Sequence, residues 1–138
     1  MTAATPIRLV IIDDSAVTRR LVRNIVERAG MTVVGEAADG RAGRDQIVQH
    51  EPDVVTLDLD MPGIDGLTLL RAITRASPRP VVVLSGKVAP GSASELAALE
   101  AGAAHVLVKP GPHAVAQFSD ELVRRLVQAA ASNVRFGR

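Results

Sequence analysis

Four short apolar runs of this 138-residue chain each lead directly into residues that could take part in chemistry. Asp13 and Asp14 follow the first run, Asp58 the second, Ser85 the third and Lys109 the fourth. Short runs rich in Val and Ile are typical of parallel strands buried on both faces, and open α/β sheets bind ligands beyond the carboxyl ends of such strands. We therefore expect three acids, a hydroxyl and an ammonium to gather at one edge of one sheet.

The three acids indicate a cation site. Carboxylates that are brought together repel one another, which disfavours their ionised forms unless a cation lies among them. Mg²⁺ is held by one or two carboxylates together with waters and phosphate oxygens, so Asp14 and Asp58 are expected as direct ligands, with Asp13 close by or acting through water. The chain has no cysteine, and its three histidines do not adjoin these acids in sequence. The oxygen donors therefore favour Mg²⁺ or Mn²⁺ over zinc.

The remaining polar residues at the strand ends suit phosphoryl chemistry. A carboxylate can attack phosphorus to form an aspartyl phosphate, and a metal ion, an ammonium and a hydroxyl assist by binding the phosphoryl oxygens. Lys109 and Ser85 supply the last two groups. Asp58 is the expected nucleophile because it ends the central strand of the predicted sheet and opens a loop that leaves its outer face accessible. Each residue taken singly is more often a cap, a turn residue or a solvated charge, but their joint occurrence favours function.

Composition excludes several classes of protein. Thiol chemistry is excluded without cysteine, and Phe118 and Phe136 are the only Phe, Tyr or Trp rings, so single-stranded nucleic acid finds no stacking platform. The formal net charge is +1, and arginines such as Arg19 and Arg23 are expected on solvated helix faces rather than on a basic partner surface. No segment resembles a signal peptide or reaches membrane-spanning length, so a cytoplasmic protein without a membrane partner is expected.

Strand and helix signals alternate five times along the chain. Strands are predicted over 7–12, 32–37, 54–57, 81–84 and 104–108, each followed by a helix. Five β-α units with short connections predict an α/β, flavodoxin-like, doubly wound parallel sheet in the order 2-1-3-4-5, with helices on both faces. In that order, the polar ends of strands 1, 3, 4 and 5 converge.

Apolar spacing predicts which side of each helix faces the sheet. The predicted inward positions are Val17, Leu21 and Ile25 in the first helix, Ile47 and Val48 in the second, Leu67, Leu70 and Ile73 in the third, Leu96 and Leu99 in the fourth, and Val115, Phe118, Leu122 and Leu126 in the fifth. The periodic pattern fades at the end of the fifth helix. The domain is therefore predicted over 1–128, with 129–138 as a frayed end or the start of a linker.

Several of these residues together resemble the receiver domain of bacterial two-component response regulators, over about residues 7–127. They are Asp13-Asp14-Ser15, Asp58 with Met61-Pro62 and Asp65-Gly66, Ser85, and Lys109-Pro110. The resemblance implies the CheY-like fold, with Asp58 as phosphoacceptor, Asp13 and Asp14 as Mg²⁺-binding acids, Ser85 as switch hydroxyl and Lys109 as the lysine of the family. It also implies a metal-ligating backbone carbonyl at Asp60 and a cis Lys109–Pro110 peptide bond, a form that proline tolerates.

Further segments resemble, within that family, the N-terminal receiver of the chemotaxis protein-glutamate methylesterase. They are 33–37, 53–58, 65–68 and 99–103, together with the spacing between Ser85 and Lys109. In that protein a linker and an esterase domain follow the receiver. The chain contains no Ser-His-Asp esterase constellation, so it is expected to be either a truncated or a free-standing receiver.

Three positions bear on how a signal would be carried. Val106 stands where receivers usually have Tyr or Phe, three residues before the lysine, so an aromatic switch is not expected. Asp60 and Lys87 lie two residues beyond Asp58 and Ser85, flank the entry of the attacking water, and are expected to influence the lifetime of the phosphoryl group. The signal is then expected to leave through the backbone and Ser85.

The resemblance implies signalling rather than turnover of a substrate. A histidine kinase docked on the first helix would pass a phosphoryl group to Asp58, and slow hydrolysis would end the signal. The response would reach an output domain or a target protein through the face formed by helix 4, strand 5 and helix 5.

Alternative functions stay open at this point. A receiver-like adaptor could signal without phosphate. Asp58-Leu59-Asp60 also resembles the Asp-x-Asp motif of haloacid-dehalogenase phosphatases, although only Asp120 and Glu121 follow the lysine as further acids. A flavodoxin-like FMN carrier is disfavoured because Asp13 and Asp14 occupy the loop where a phosphate cradle needs uncharged donors. Direct DNA binding is not expected, since the sequence shows no helix-turn-helix or basic arm.

Overall fold

A computed structural model describes residues 5–61, 65–86 and 89–132, in which five strands alternate with five helices. The strands are β1 (Arg8–Ile12), β2 (Thr32–Ala37), β3 (Val54–Asp58), β4 (Val81–Ser85) and β5 (His105–Val108). The helices are α1 (Ala16–Arg28), α2 (Gly40–His50), α3 (Gly66–Ala76), α4 (Ala93–Glu100) and α5 (Val115–Ser132). The predicted strands agree with these bounds to within one residue at each end.

The five strands form one parallel sheet in the order β2-β1-β3-β4-β5, as predicted. The register brings the strand ends to a common edge, with Cα pairs Ile12 and Leu57, Asp58 and Leu84, and Ser85 and Val108. Because β3 lies at the centre, Asp58 is flanked by the end of β1 on one side and the end of β4 on the other.

The core has two layers because helices cover both faces of the sheet. Val10 and Ile12 pack on the side of α2, α3 and α4, whereas Leu9 and Ile11 pack on the side of α1 and α5. Adjacent residues of the inner strands β1, β3 and β4 are therefore almost all buried, which explains why these strands appear as continuous apolar runs rather than alternating ones. Each fully buried Leu or Ile side chain contributes about 1.5–3 kcal/mol to stability.

Side-chain caps begin four of the five helices. Ser15, Asp39, Asp65 and Ser92 each accept a hydrogen bond from a backbone amide in the first turn of α1, α2, α3 and α4. Such caps satisfy helix amides that otherwise have no acceptor and contribute about 1 kcal/mol each. The Ser15 cap, predicted from the sequence, fixes the direction in which α1 leaves the loop that carries Asp13 and Asp14.

The predicted inward side is correct for α1, α2, α3 and α5, where Ile25, Ile47, Leu70 and Phe118 are buried. It is wrong for α4 and for single positions on α1, α2 and α5. Val17, Val48 and Leu96 are 80%, 69% and 57% exposed, Leu99 is 43% exposed and Val115 is 36% exposed. On α4 the small side chain of Ala98 packs against the core instead, and the two leucines turn outward. Helices with apolar residues on several sides take the rotation that packs best against the sheet, which apolar spacing alone does not specify.

The end of α5 lies beyond the predicted domain boundary at residue 128. The helix continues to Ser132, and Ala129 is buried within the core layer on the α1 and α5 side. Residues 129–132 thus continue α5, and Ala129 contributes to the core. No helix in the described part of the chain has both the length and the hydropathy needed to span a membrane.

Candidate functional site

Asp58 lies at the carboxyl end of the central strand and is almost completely buried, with 2% of its surface exposed. Its Oδ1 accepts a hydrogen bond from the backbone amide of Asp60 at 2.8 Å. Its Oδ2 lies 3.2 Å from Nζ of Lys109. The carboxylate is thus held at both oxygens, by a turn of its own loop and by a residue that follows β5.

Asp13 and Asp14 follow β1 beside Asp58. The Asp13 amide donates to the carbonyl of Ala37 at 3.0 Å, and its Oδ1 accepts from the amide of Ser15 at 2.9 Å, so the buried Asp13 carboxylate is fixed in place. Asp14 is exposed. Carboxylate oxygens of Asp13, Asp14 and Asp58 lie within 4.8 Å of one another. The predicted convergence of the three acids is therefore found in the structure.

Lys109 connects two of these acids. Its amide donates to the carbonyl of Ser85 at 2.9 Å, which extends the pairing of β4 and β5 by one residue and directs the side chain toward Asp58. Nζ lies 3.0 Å from Asp13 Oδ2 as well as 3.2 Å from Asp58 Oδ2. Burial alone lowers the pKa of Lys109, but the hydrogen bonds and charges of Asp13 and Asp58 outweigh it and raise that pKa above its ordinary value. The ammonium therefore stays charged at neutral pH.

One ammonium does not balance the negative charge of the site. Burial, together with the charge of Asp13, raises the pKa of Asp58 from 3.8 to about 6, although the Asp60 amide and Lys109 act in the opposite direction. The net upward shift means that the ionised Asp58 lacks sufficient compensation. A divalent cation fits this requirement, because the available donors are all oxygens and Asp14 is open to solvent.

Ser85 is buried at the end of β4, and its hydroxyl donates to Oδ2 of Asp60 at 2.9 Å. The amide of Gly86 donates to the same oxygen at 3.1 Å. The family resemblance implies a backbone carbonyl ligand at Asp60, and its position predicts an influence on phosphoryl lifetime, but neither predicts this side-chain contact. The sequence feature that could have revealed this contact is the position of Asp60, two residues after the end of β3, beside the neighbouring strand β4 that ends at Ser85.

The implied cis form of the Lys109–Pro110 bond is wrong. The bond is trans, as are the other peptide bonds of the described residues. Trans is favoured for a bond preceding proline by about 0.5–1 kcal/mol, and in this form Lys109 already reaches both carboxylates. Val106 lies half-buried on β5 against the core. Lys87, predicted to affect the phosphoryl lifetime, lies outside the described residues.

Arg19 is a further residue that the sequence interpretation missed. Its Nη1 donates to the backbone carbonyl of Asp13 at 2.6 Å, and its Nε lies 3.3 Å from Oε1 of Glu36 on β2. Nε of Arg23 donates to Oε2 of the same Glu36 at 2.7 Å. The sequence predicts both arginines on solvated helix faces. Their contacts with Glu36 arise from the pairing of β1 with β2, which brings Glu36 beside α1 and which residue spacing does not reveal. Arg19 thus holds the backbone of the loop that carries the acids.

A 2-1-3-4-5 sheet with an acid trio, a lysine and a hydroxyl at its carboxyl edge defines a signalling domain of the two-component class. The chain belongs to the response regulator receiver domain family, whose sequence model matches residues 9–117.

Individual relatives point to one branch of this family. The chain is 44% identical over 131 residues to protein-glutamate methylesterase/protein-glutamine glutaminase 4 of Anaeromyxobacter dehalogenans, covering 94% of this chain and 37% of that protein. It is 42% identical over 135 residues to the corresponding protein 2 of Burkholderia thailandensis, covering 95% of this chain and 38% of that protein. The chain thus spans less than two fifths of the length of these curated relatives.

Solved structures of receiver domains have the same fold as this chain. The crystal structure of the response regulator domain of Thermotoga maritima CheB has a TM-score of 0.85 and 31% identity, covering 92% of this chain and 98% of that one. A second neighbour is the crystal structure of the P1 domain of CheA3 in complex with CheY6 from R. sphaeroides, with a TM-score of 0.78 and 28% identity, covering 93% of this chain and 99% of that one. The chain is a receiver domain similar to those of the chemotaxis methylesterases.

Proposed function

We propose that the chain accepts a phosphoryl group on Asp58 from a phosphohistidine of a partner kinase and transmits the event through a conformational change. The observation that carries this proposal is the placement of Lys109 Nζ within 3.0 and 3.2 Å of the Asp13 and Asp58 carboxylates, beside a third acid. This arrangement concentrates positive charge next to a carboxylate that is fixed for attack.

The chemical step is a transfer between two nucleophiles. A carboxylate oxygen of Asp58 forms a bond to phosphorus as the bond from phosphorus to the histidine nitrogen breaks, and the electron pair leaves with the imidazole nitrogen. Asp58 attacks in its ionised form, which the pKa of about 6 leaves predominant at neutral pH. Its Oδ1 stays oriented by the Asp60 amide, and the Lys109 ammonium pairs with the developing charge on the phosphoryl oxygens.

Asp13, Asp14 and Asp58 would hold Mg²⁺, with the backbone carbonyl of Asp60 as a further ligand. The bound ion supplies positive charge to the phosphoryl oxygens. Fit is supported by the all-oxygen donor set and by the raised pKa of Asp58, which indicates that Lys109 alone leaves the site short of positive charge.

Two surfaces of the chain are proposed to bind partner proteins. A histidine kinase would dock on α1, and the structural neighbour CheY6 is described in complex with the P1 domain of CheA3. The response would reach an output domain or a target protein through α4, β5 and α5, where Leu96, Leu99 and Val108 are exposed apolar side chains. With Val106 in place of an aromatic residue, Ser85 and the backbone carry the change. The proposal locates this exchange in the cytoplasm, as is usual for the family.

Phosphorylation by acetyl phosphate tests the assignment. The wild-type chain should gain the mass of one phosphoryl group in Mg²⁺ and much less in EDTA, as measured by intact mass spectrometry. Asp58→Asn should abolish the gain, whereas Asp120→Asn, which changes an exposed acid on α5, should leave it unchanged. Undiminished labelling of Asp58→Asn would refute the assignment of the phosphoacceptor.

A further inference from the structure

The Asp60 side chain joins the loop after β3 to the end of β4. Its Oδ2 accepts two hydrogen bonds, from the Ser85 hydroxyl at 2.9 Å and from the Gly86 amide at 3.1 Å. Both donors therefore converge on a single carboxylate oxygen. Two N–H or O–H groups that converge in this way form a small anion-binding site, which an internal anion occupies here.

The two donors lie beside the phosphoacceptor. Asp58 pairs in register with Leu84, so Ser85 and Gly86 follow immediately at the same edge of the sheet. A hydroxyl has one proton to donate, and so has a backbone amide. Neither group can give its full hydrogen bond to Asp60 and to a phosphoryl oxygen on Asp58 at the same time.

The donor Ser85 and the acceptor Asp60 differ in what it costs each of them to lose this hydrogen bond. Ser85 is buried, so its hydroxyl is expensive to leave without an acceptor, whereas the Asp60 side chain is exposed and can turn into water at little cost. The backbone amide of Asp60 donates separately to Asp58 Oδ1 at 2.8 Å. Release of the carboxylate therefore does not require release of the backbone contact that orients the phosphoacceptor.

We propose that the Asp60 carboxylate is an internal competitor of the phosphoryl group: it holds Ser85 and Gly86 in the unphosphorylated chain and yields both donors when Asp58 is phosphorylated. The inference rests on the proposed function of Asp58. Ser85 then has an acceptor in each state, and exchange of the acceptor moves the backbone at Gly86. Asp60 sets how far the equilibrium lies toward the unphosphorylated arrangement.

Beryllofluoride, a phosphoryl mimic, tests the competition in the presence of Mg²⁺, with affinity followed by NMR at the Gly86 amide. Asp60→Ala should bind roughly 5- to 50-fold more tightly than wild type. Asp60→Asn separates charge from hydrogen bonding, because the amide has no charge but still accepts from Ser85, so its gain should be several-fold smaller. Asp45→Ala, an exposed acid on α2, should match wild type. Equal gains for Asp60→Ala and Asp60→Asn, or no gain, would overturn the competition.

A double-mutant cycle followed by unfolding tests the contact between Asp60 and Ser85 without any phosphoryl mimic. Asp60→Ala, Ser85→Ala and the double variant form a cycle, in which the two changes should depart from additivity by about fivefold in the unfolding equilibrium constant. Additive effects would refute the contact on which the competition depends. If the cycle shows coupling but the wild-type chain binds no beryllofluoride, the proposed phosphorylation of Asp58 fails, and the competition fails with it for that distinct reason.

Discussion

Nζ of Lys109 lies 3.0 Å from Oδ2 of Asp13, in a site where both Asp13 and Asp58 are almost fully buried. The ammonium is a shared partner of two carboxylates that have little access to water. Removal of one member of a buried ion pair is more costly than the pair itself is favourable, because the remaining charge loses its compensation.

Lys109→Met should therefore lower the free energy of unfolding in EDTA by about 2–4 kcal/mol. Mg²⁺ should restore more stability to this variant than to wild type, because the unpaired carboxylates bind a cation more favourably. Denaturant unfolding with and without Mg²⁺ measures both effects. Arg44→Met, which changes an exposed cation on α2, is the matched control and should lie within about 0.5 kcal/mol of wild type. Equal stability of Lys109→Met and Arg44→Met would contradict the prediction.

Asp58 should make the stability of the metal-free chain depend on pH. Burial raises its pKa in the folded chain to about 6, against 3.8 for an ordinary aspartate. Between these values the folded state binds more protons than the unfolded state, so the free energy of unfolding falls as pH rises through this window. At pH 7 the ionised Asp58 costs the folded state about 1–3 kcal/mol.

Asp58→Asn should remove that cost. In EDTA at pH 7 the variant should be about 1–3 kcal/mol more stable than wild type, and the difference should shrink toward zero near pH 4. Urea denaturation at a series of pH values measures it, with Asp120→Asn as the control that keeps the wild-type slope. A difference that stays constant from pH 4 to pH 7 would show that the effect of the substitution does not come from ionisation of Asp58.

The strand ends could be predicted from the sequence because burial on both faces produces continuous apolar runs, so the residue after each run marks the sheet edge. Asp58, Ser85 and Lys109 were found in this way, and the sheet order then followed from the alternation of strands and helices. The rotation of α4 could not be predicted. Leu96, Ala98 and Leu99 are all apolar, and their relative burial depends on the space left by the sheet and α3.

Side-chain contacts between loops were also beyond the sequence pattern. The hydrogen bond from Ser85 to Asp60 joins residues 25 positions apart and depends on the rotamer of an exposed acid. The contact of Arg19 with the Asp13 carbonyl likewise needs the exact direction of α1 relative to β1. Such contacts depend on distances of a few tenths of an ångström, whereas residue type and spacing specify only which element a residue occupies.

Gly66 should be intolerant of a side chain because of the backbone that carries the site. A Cβ at this position would lie 2.7 Å from the carbonyl oxygen and 2.8 Å from the Cα of Leu59, the residue between Asp58 and Asp60. Backbone atoms cannot move aside as a flexible side chain can. Gly66→Ala should lower stability by about 1–3 kcal/mol and weaken Mg²⁺ binding, although Ala is the better helix former.

Gly111→Ala is the matched control, since a Cβ at Gly111 would meet no atom of the described residues within 4 Å. Thermal unfolding gives the stability of both variants, and a Mg²⁺ titration gives the affinity. Loss of stability with unchanged Mg²⁺ affinity in Gly66→Ala would show that the segment after Asp58 is not displaced, and would contradict the second half of the prediction.

Thr56 lies in the middle of β3, where its side chain is 1% exposed, and its Oγ1 has no hydrogen-bond partner among the described residues. A buried hydroxyl in this position has lost its bonds to water without replacement, which costs about 1–3 kcal/mol. Valine has almost the same shape and is equally suited to a strand. Thr56→Val should therefore raise the free energy of unfolding by about 1 kcal/mol, with no change in the denaturant slope. Thr74→Val should instead lower the free energy of unfolding, because Thr74 Oγ1 donates a hydrogen bond to the carbonyl of Leu70 at 2.9 Å and valine cannot. Loss of stability in both variants would show that the Thr56 hydroxyl is satisfied in solution.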